Sequence, residues 1–381
     1  MQEKAVLWIW FSMIKGLNNS KLQKIISLCE GVENLWNAKT REDLSDFLDG
    51  TNELTGISEN LLRTDLKEQA NRIFEGCNKS KIKVTFPGGE GYPVLLEYTN
   101  DKPMVLYVRG ELNKEDKLLA IIGSRTATSY GLDVAFSFSK KLAESGITIV
   151  SGLARGVDTY AHAGAIKGRG RTIAVLGCGV DIAYPSENAG LLKEIEKNGA
   201  IISELPPGTR PSKYTFPLRN RIIAGMSAGV FVTEAGPDSG TRITVDYANN
   251  YGKAIYAVPG EITRQNFFGT NKMLKDGAIF VTNTEDILAS LKSHYLFPED
   301  LLNSTNYNLD FGVPMTIKNE LSEVELSIVK KLELETKHVD ELSNELKMVD
   351  GEIYVWLLML ELKGIIHQLP GRYYKIKNTF L

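Results

Sequence analysis

Residues 118–158 read LLAIIGSRTATSYGLDVAFSFSKKLAESGITIVSGLARGVD. Two short β-rich apolar runs, LLAII and ITIVS, frame a stretch of helical length that opens at Ser or Thr and closes at Gly146. Ser and Thr accept hydrogen bonds from the free amides of a helix's first turn, and glycine takes up the left-handed conformation that ends one. Strands joined through a helix lie parallel, because parallel neighbours need a crossover. The same alternation continues through TIAVLG, AIIS, GVFVTEA, AIYAVPG and AIFVT. Seven strands with helical crossovers predict a parallel, doubly wound α/β sheet. The earlier runs Ile82–Phe86 and Val105–Val108 are expected to extend it.

On either side the pattern differs. Residues 1–80 read as short helices broken at Gly16, Gly31, Gly50, Gly56 and Gly76, which predicts a small helical domain. Ile14-Lys15-Gly16-Leu17 has the form of a helix-hairpin-helix turn, whose amides would hold a DNA phosphate. Asn18 replaces the usual second glycine, so a plain interhelical turn is the favoured reading. Residues 293–314 contain Pro, Asn and Asp without periodicity and read as a linker between domains at 81–292 and 315–381. The last segment gives three helices (Ser322–Leu332, Val339–Leu346, Gly351–Leu362), then IIHQL and RYYKI around Pro370-Gly371, a pair suited to a type II turn. Three helices and a hairpin make a winged helix. Its third helix carries Glu352 and Glu361 in place of the Arg, Lys, Asn or Gln of a major-groove reader, which favours packing or protein contact over transcriptional regulation.

Charge narrows the function. The 381 residues carry 44 basic and 47 acidic groups, and a net charge of −3 argues against coating nucleic acid or anionic membrane by bulk charge. Residues 121–280, however, hold 18 basic and 13 acidic groups, so an anionic ligand belongs there. Cys29, Cys77 and Cys178 lack CxxC spacing and read as small buried hydrophobes in a reducing compartment. His162, His294, His338 and His367 have no ligand-like spacing, so neither a metal nor a cofactor is expected. AVLWIWFSMI at residues 5–14 is too short to span a bilayer and has no cleavage site, so it reads as a buried first helix of a cytoplasmic protein.

Ligands of an open parallel sheet bind beyond the carboxyl ends of its strands. Those ends carry Gly123-Ser124-Arg125, Ser151-Gly152 with Arg155-Gly156, Gly177-Cys178-Gly179 with Tyr184-Pro185, and Ser203-Glu204. Further on come Glu234-Ala235-Gly236 with Ser239-Gly240-Thr241, and Pro259-Gly260. Glycines let amides approach phosphate, helix N-termini favour anions, and arginine adds full charge. Tight turns alone would account for roughly half the glycines and for neither Arg125 nor Arg155. Phe216-Pro217-Leu218-Arg219-Asn220-Arg221 precedes an apolar helix and joins an aromatic face to guanidinium groups, the combination that stacks bases and tracks phosphates of single strands. The plainer reading puts Phe216 in the core and pairs the arginines with Glu204 or Glu234. Catalytic equipment is thin. No P-loop is present, and PGGEGYP at 87–93 precedes no helix and reads as a turn. His162 more naturally organises a turn than acts as a general base, and Ser124 and Ser151 lack a nucleophile's spacing to histidine and acid. No catalytic residue is assigned.

In order, GSRTATSYG, SGLARGVDTYAH, TIAVLGCGVDIAYP, FPLRNRIIAGMS, TEAGPDSGT, AVPG and GTNKML closely resemble the DNA-processing protein A (DprA, or Smf) family over about Leu118–Leu291. The flanking domains resemble that family's more loosely, the first being SAM- or helix-hairpin-helix-like. The resemblance implies an extended Rossmann-like domain in a non-enzymatic protein that binds single-stranded DNA in a basic pocket. It further implies a homodimer that protects incoming DNA and loads the recombinase RecA in natural transformation, away from any membrane. By motif it carries over Arg125, Ser151, Gly152, Arg155, Gly156, Phe216, Arg219, Asn220 and Arg221. Gly123, Ser124, Ser239, Gly240 and Thr241 complete the expected DNA-binding set. Ser186-Glu187 follows Tyr-Pro where many members have a basic residue, and Thr241-Arg242-Ile243-Thr244-Val245 departs from small-Leu-x-Thr-Ala. The alternative is a nucleotide-binding or nucleotide-hydrolysing Rossmann-like enzyme or sensor, which Thr244 weakens by standing where PGGxGTxxE relatives carry a catalytic glutamate.

Overall fold

The structure, a computed structural model, describes residues 60–294 apart from Asp238, and parts of residues 2–57 and 321–376. The chain forms two compact units, Met1–Tyr295 and Leu296–Leu381.

In the first unit the described strands are β1 (Lys83–Thr85), β2 (Leu106–Gly110), β3 (Lys117–Ile122), β4 (Ile147–Ser151), β5 (Thr172–Val175), β6 (Ala200–Ser203), β7 (Gly229–Val232), β8 (Ala254–Ala257) and β9 (Ile279–Phe280). They form one sheet in the order β1-β2-β6-β5-β4-β3-β7-β8-β9. The seven strands from β3 onward are parallel, as the alternation predicts, with Ala120 paired to Val150 on one side and Val230 on the other. The two early runs do extend the sheet. They do so antiparallel, β2 on β6 and β1 on β2, an orientation that apolar runs do not encode.

The helices that shape the site are α1 (Gln2–Met13), α2 (Thr64–Lys79), α3 (Ser129–Glu144), α4 (Val157–Lys167), α5 (Ala189–Asn198), α6 (Thr215–Met226) and α7 (Thr241–Asn250). β3 is buried on both faces, which is why LLAII is apolar throughout rather than alternating. Leu119 and Ile121 pack with Leu142 of α3 and Ala161 of α4, while Ala120 and Ile122 pack with Ile222 and Ile223 of α6. Thr128 caps α3 by accepting from Gly131 N (3.3 Å), and the helix ends at Ser145 before Gly146 at φ +82°.

The AVLWIWFSMI segment is a buried first helix. Ile9, Trp10 and Phe11 of α1 lie in a cluster with Val105, Tyr107 and Leu176, so this helix shares a core with the sheet. No helix among the described residues is long and apolar enough to cross a membrane. Asn18 and Cys29 lie outside the described residues. Cys77 and Cys178 are buried, and burial pushes both thiols up to about 11, the inert state expected of them. PGGEGYP forms turns, but a one-turn helix, Val94–Glu97, does follow it. Pro93 sets up that helix with its fixed φ, a cue too short to show as periodicity.

The second unit is a winged helix. Its helices α8 (Glu323–Leu334) and α9 (Val339–Leu346) sit with strands β10 (Lys337–His338), β11 (Ile366–Leu369) and β12 (Tyr373–Ile376) in the order β10-β12-β11. Ser322 and Glu325 form a capping box at the start of α8: the Glu325 amide donates to Ser322 Oγ (3.2 Å), and the Ser322 amide donates to Glu325 Oε2 (2.9 Å). Ile353, Leu357 and Leu360 of the third helix are buried with Leu342 and Tyr374. An apolar face at that spacing is used up in the unit's own core. Ser293 and His294, expected to open the linker, instead end the helix Thr284–His294, while the rest of 293–314 and Pro370-Gly371 fall outside the described residues.

Candidate nucleic-acid interface

The strand order reverses between β3 and β7, and beyond their carboxyl ends opens a cleft of about 840 Å³. That is where a doubly wound sheet leaves room for a ligand, since the crossovers leave in opposite directions. One wall is the Gly123–Thr126 turn after β3; others are the first turns of α6 and α7.

The turn that presents Arg125 is anchored from below. Ser124 N donates to Glu234 O (2.8 Å), and the buried Glu234 carboxylate accepts from Thr128 N (3.0 Å), the Thr128 hydroxyl and Asn266 Nδ2 (2.9 Å). With its neighbours fixed, Arg125 itself is exposed. Its guanidinium lies over the Phe216 ring, 5.9 Å from the centroid, and Phe216 lies 5.3 Å from Tyr184 at 32°. Guanidinium and the two rings therefore form one cluster, with Tyr184 45% exposed. Tyr214 is 71% exposed beside it, with Lys213 Nζ 5.2 Å from its centroid.

Arg219, also of the cleft lining, is buried on α6. Its Nη1 donates to Gly152 O (2.7 Å) and to Val175 O, and its Nε donates to Asn220 Oδ1 (3.1 Å). A Cβ at residue 152 would sit 2.6 Å from this guanidinium, so only glycine fits there. Burial pulls the Arg219 guanidinium down to about 10, with Asp158 opposing and Arg125 adding to the fall, and it is still charged at neutral pH. Among the described residues lining the cleft, Arg125, Lys213 and Arg219 face one acid, Asp158, whose carboxylate accepts from Gly152 N (3.1 Å) and Ala154 N (3.3 Å). Burial pushes that carboxyl up, against the pull of Arg219.

Of the expected residues, the cleft brings together Gly123, Ser124 and Arg125, then Phe216, Arg219 and Asn220, and finally Ser239, Gly240 and Thr241. It does not bring in five others. Ser151 is buried with its hydroxyl on Ile121 O (2.7 Å), tying β4 to β3. Gly152 and Gly156 shape the loop behind the cleft, and Arg155 stands beside the cleft in an ion pair with Glu187. Arg221 points the other way and binds both Glu204 oxygens at 2.6 Å, which is the plainer reading of that motif. Phe216 and the arginines lie within α6 rather than before it. Pro217 falls in the helix's first turn, where its missing N–H breaks no hydrogen bond. Tyr184 and Lys213 were not in the expected DNA-binding set, although Tyr184 falls in the TIAVLGCGVDIAYP motif after a strand end; for Lys213 the signal is a basic residue three positions before Phe216.

His162 is buried away from the cleft. Thr172 Oγ1 gives its proton to Ile149 O and so accepts from His162 Nδ1 (2.7 Å). Burial, assisted by Arg219, pushes the imidazole down to about 3, so it is neutral and structural, the role favoured over general base. Thr244 is buried and lines the cleft.

The model of the family described as DNA recombination-mediator protein A matches residues 83–292, and that of the DprA winged helix domain matches 314–372. The chain belongs to this family. It is 31% identical to Protein Smf of Synechocystis sp., over 97% of this chain and 98% of that protein. The crystal structure of DprA from Streptococcus pneumoniae is similar at a TM-score of 0.61 and 32% identity, covering 74% of this chain and 95% of that one. A structure of DNA processing protein A from Helicobacter pylori, described for its single-stranded DNA binding mode, is similar at a TM-score of 0.51 and 30% identity, covering 56% and 97%.

Proposed function

We propose that the cleft binds single-stranded DNA, and that the protein is a cytoplasmic recombination mediator rather than an enzyme. The observation that carries this reading is the cluster of Arg125, Phe216 and Tyr184 in a cleft whose described charged residues are three cations and one acid. Aromatic faces stack bases only when those bases are free of a duplex, and base–aromatic stacking contributes about 1–3 kcal/mol per base without sequence preference. The described acid, Asp158, is occupied by two amides, and His162 on the same helix is neutral and buried, which supports binding over turnover of nucleotides. The description of the family as a DNA recombination mediator supports the wider role; the finer reading is a homodimer that shields incoming strands and loads RecA in natural transformation, with functional segments at 1–80, 81–292 and 315–381, the first sharing a core with the second through α1. Two clefts on one strand would bind more tightly than either alone.

Fluorescence anisotropy with a labelled oligo(dT), its duplex and mononucleotides tests the reading. Single strands are expected to bind best, with log affinity falling against log salt at a slope of about −1.4, that is about −0.7 for each of two phosphates neutralised by the exposed Arg125 and Lys213. Preference for duplex, or indifference to salt, would contradict it.

A further inference from the structure

Arg155 stands at the rim of the cleft, and it is already occupied. Its loop is stiff: besides the Asp158 bonds to Gly152 and Ala154, Thr159 Oγ1 donates to Ala154 O (2.7 Å). Gly156 has φ +76°, and a Cβ there would collide with Ser124 O, so the backbone next to Arg155 packs directly against the turn that carries Arg125. Beside this loop lies the turn Ser186–Asn188, which follows the cleft residue Tyr184 by two positions. The buried Asn188 amide fastens the turn to the loop, donating to Leu153 O (3.0 Å) and to Thr159 Oγ1 (2.9 Å). That fastening delivers Glu187 to Arg155 Nε, although the two side chains are 47% and 69% exposed. An ion pair between solvent-facing side chains is ordinarily loose; here the backbone on both sides is fixed.

We infer that Glu187 is an internal competitor for the DNA phosphate: it holds Arg155 in the free protein, and a strand gains the Arg155 contact only by displacing the carboxylate. This rests on the single-strand reading above and adds to it the residue that sets affinity. A carboxylate and a phosphate oxygen accept from the same guanidinium face, so both cannot use Arg155 fully at once. The carboxylate also places a negative charge within a Debye length of the strand. Because an exposed pair is weak, the effect is a graded reduction of affinity and not a block.

The test is oligo(dT) anisotropy at one salt concentration with the full chain, E187Q, R155A and the R155A/E187Q double variant, with thermal unfolding to confirm equal folding. E187Q is expected to bind about two- to fivefold more tightly than the unaltered protein, the factor an exposed ion pair is worth. That gain is expected to vanish when Arg155 is absent. Unchanged or weaker binding by E187Q overturns the inference, the second outcome making Glu187 a support that aims Arg155 at DNA. A gain of the same size without Arg155 also overturns it, since diffuse repulsion would then suffice. If the unaltered protein binds no single strand, this inference and the reading beneath it fall together; if it binds through Arg125 and E187Q changes nothing, only this inference falls.

Discussion

Replacing Arg219 by alanine is expected to lower the unfolding free energy of the α/β unit by about 3 kcal/mol, because two buried carbonyls lose a charged donor and a buried acid loses its counter-charge. The carbonyls are Gly152 O and Val175 O, at the ends of β4 and β5, and the acid is Asp158. Gly152 has no side chain with which to fill the space the guanidinium leaves. Urea denaturation followed by circular dichroism reads the change as a lower midpoint with the same slope. Arg219→Lys should fall between, since an ammonium keeps the charge but lacks the planar fork that reaches two carbonyls and Asn220. A fully stable Arg219→Ala protein that loses only DNA binding would make Arg219 a ligand group and not the floor of the site.

Arg125 should behave in the opposite way. Its guanidinium is exposed and stacks on Phe216, while the turn around it is held by Ser124, Thr128 and Glu234 without its help. Arg125→Ala is therefore expected to weaken oligo(dT) binding about 10- to 100-fold, the usual worth of a charge-assisted hydrogen bond to phosphate together with its cation–π support. Stability should change by less than about 0.5 kcal/mol, as for surface substitutions away from buried features. The salt dependence should become shallower by about 0.7, one phosphate fewer. A large loss of stability in this variant would show Arg125 to be structural.

The contrast between these two arginines marks what was legible in the sequence. The sheet was legible because buried parallel strands are continuous apolar runs and the glycines that end them mark one edge; LLAII, ITIVS and GVFVTEA needed no further information. Arg125 was legible for the same reason, since it follows such an end. Arg219 is harder, yet a signal exists: Arg219, Ile222, Ile223 and Met226 recur at helical spacing, and all four are buried on one face of α6. Placing Phe216–Arg221 ahead of the helix hides that face, whereas Pro217 is tolerated in a first turn. Other features depend on residues distant in the chain. Glu187 meets Arg155 only because Asn188 is tied to Leu153, and Lys213 reaches the cleft only because α6 starts beside the end of β5, where Thr215 Oγ1 donates to Gly177 O (2.6 Å). The two-residue strand β10 has no run of its own and exists because Lys337 and His338 find partners on β12.

The central claim is that a single strand lies across the Arg125–Phe216–Tyr184 cluster. Photocrosslinking with an oligonucleotide carrying 5-iododeoxyuridine, followed by peptide mapping, tests it most directly, because the excited base couples to an aromatic ring it stacks on. The crosslink is expected on the peptides containing Phe216 or Tyr184, and it should disappear in Arg125→Ala and under excess unlabelled single strand. Crosslinks confined to residues 315–381, with Phe216 and Tyr184 unlabelled, would contradict the account.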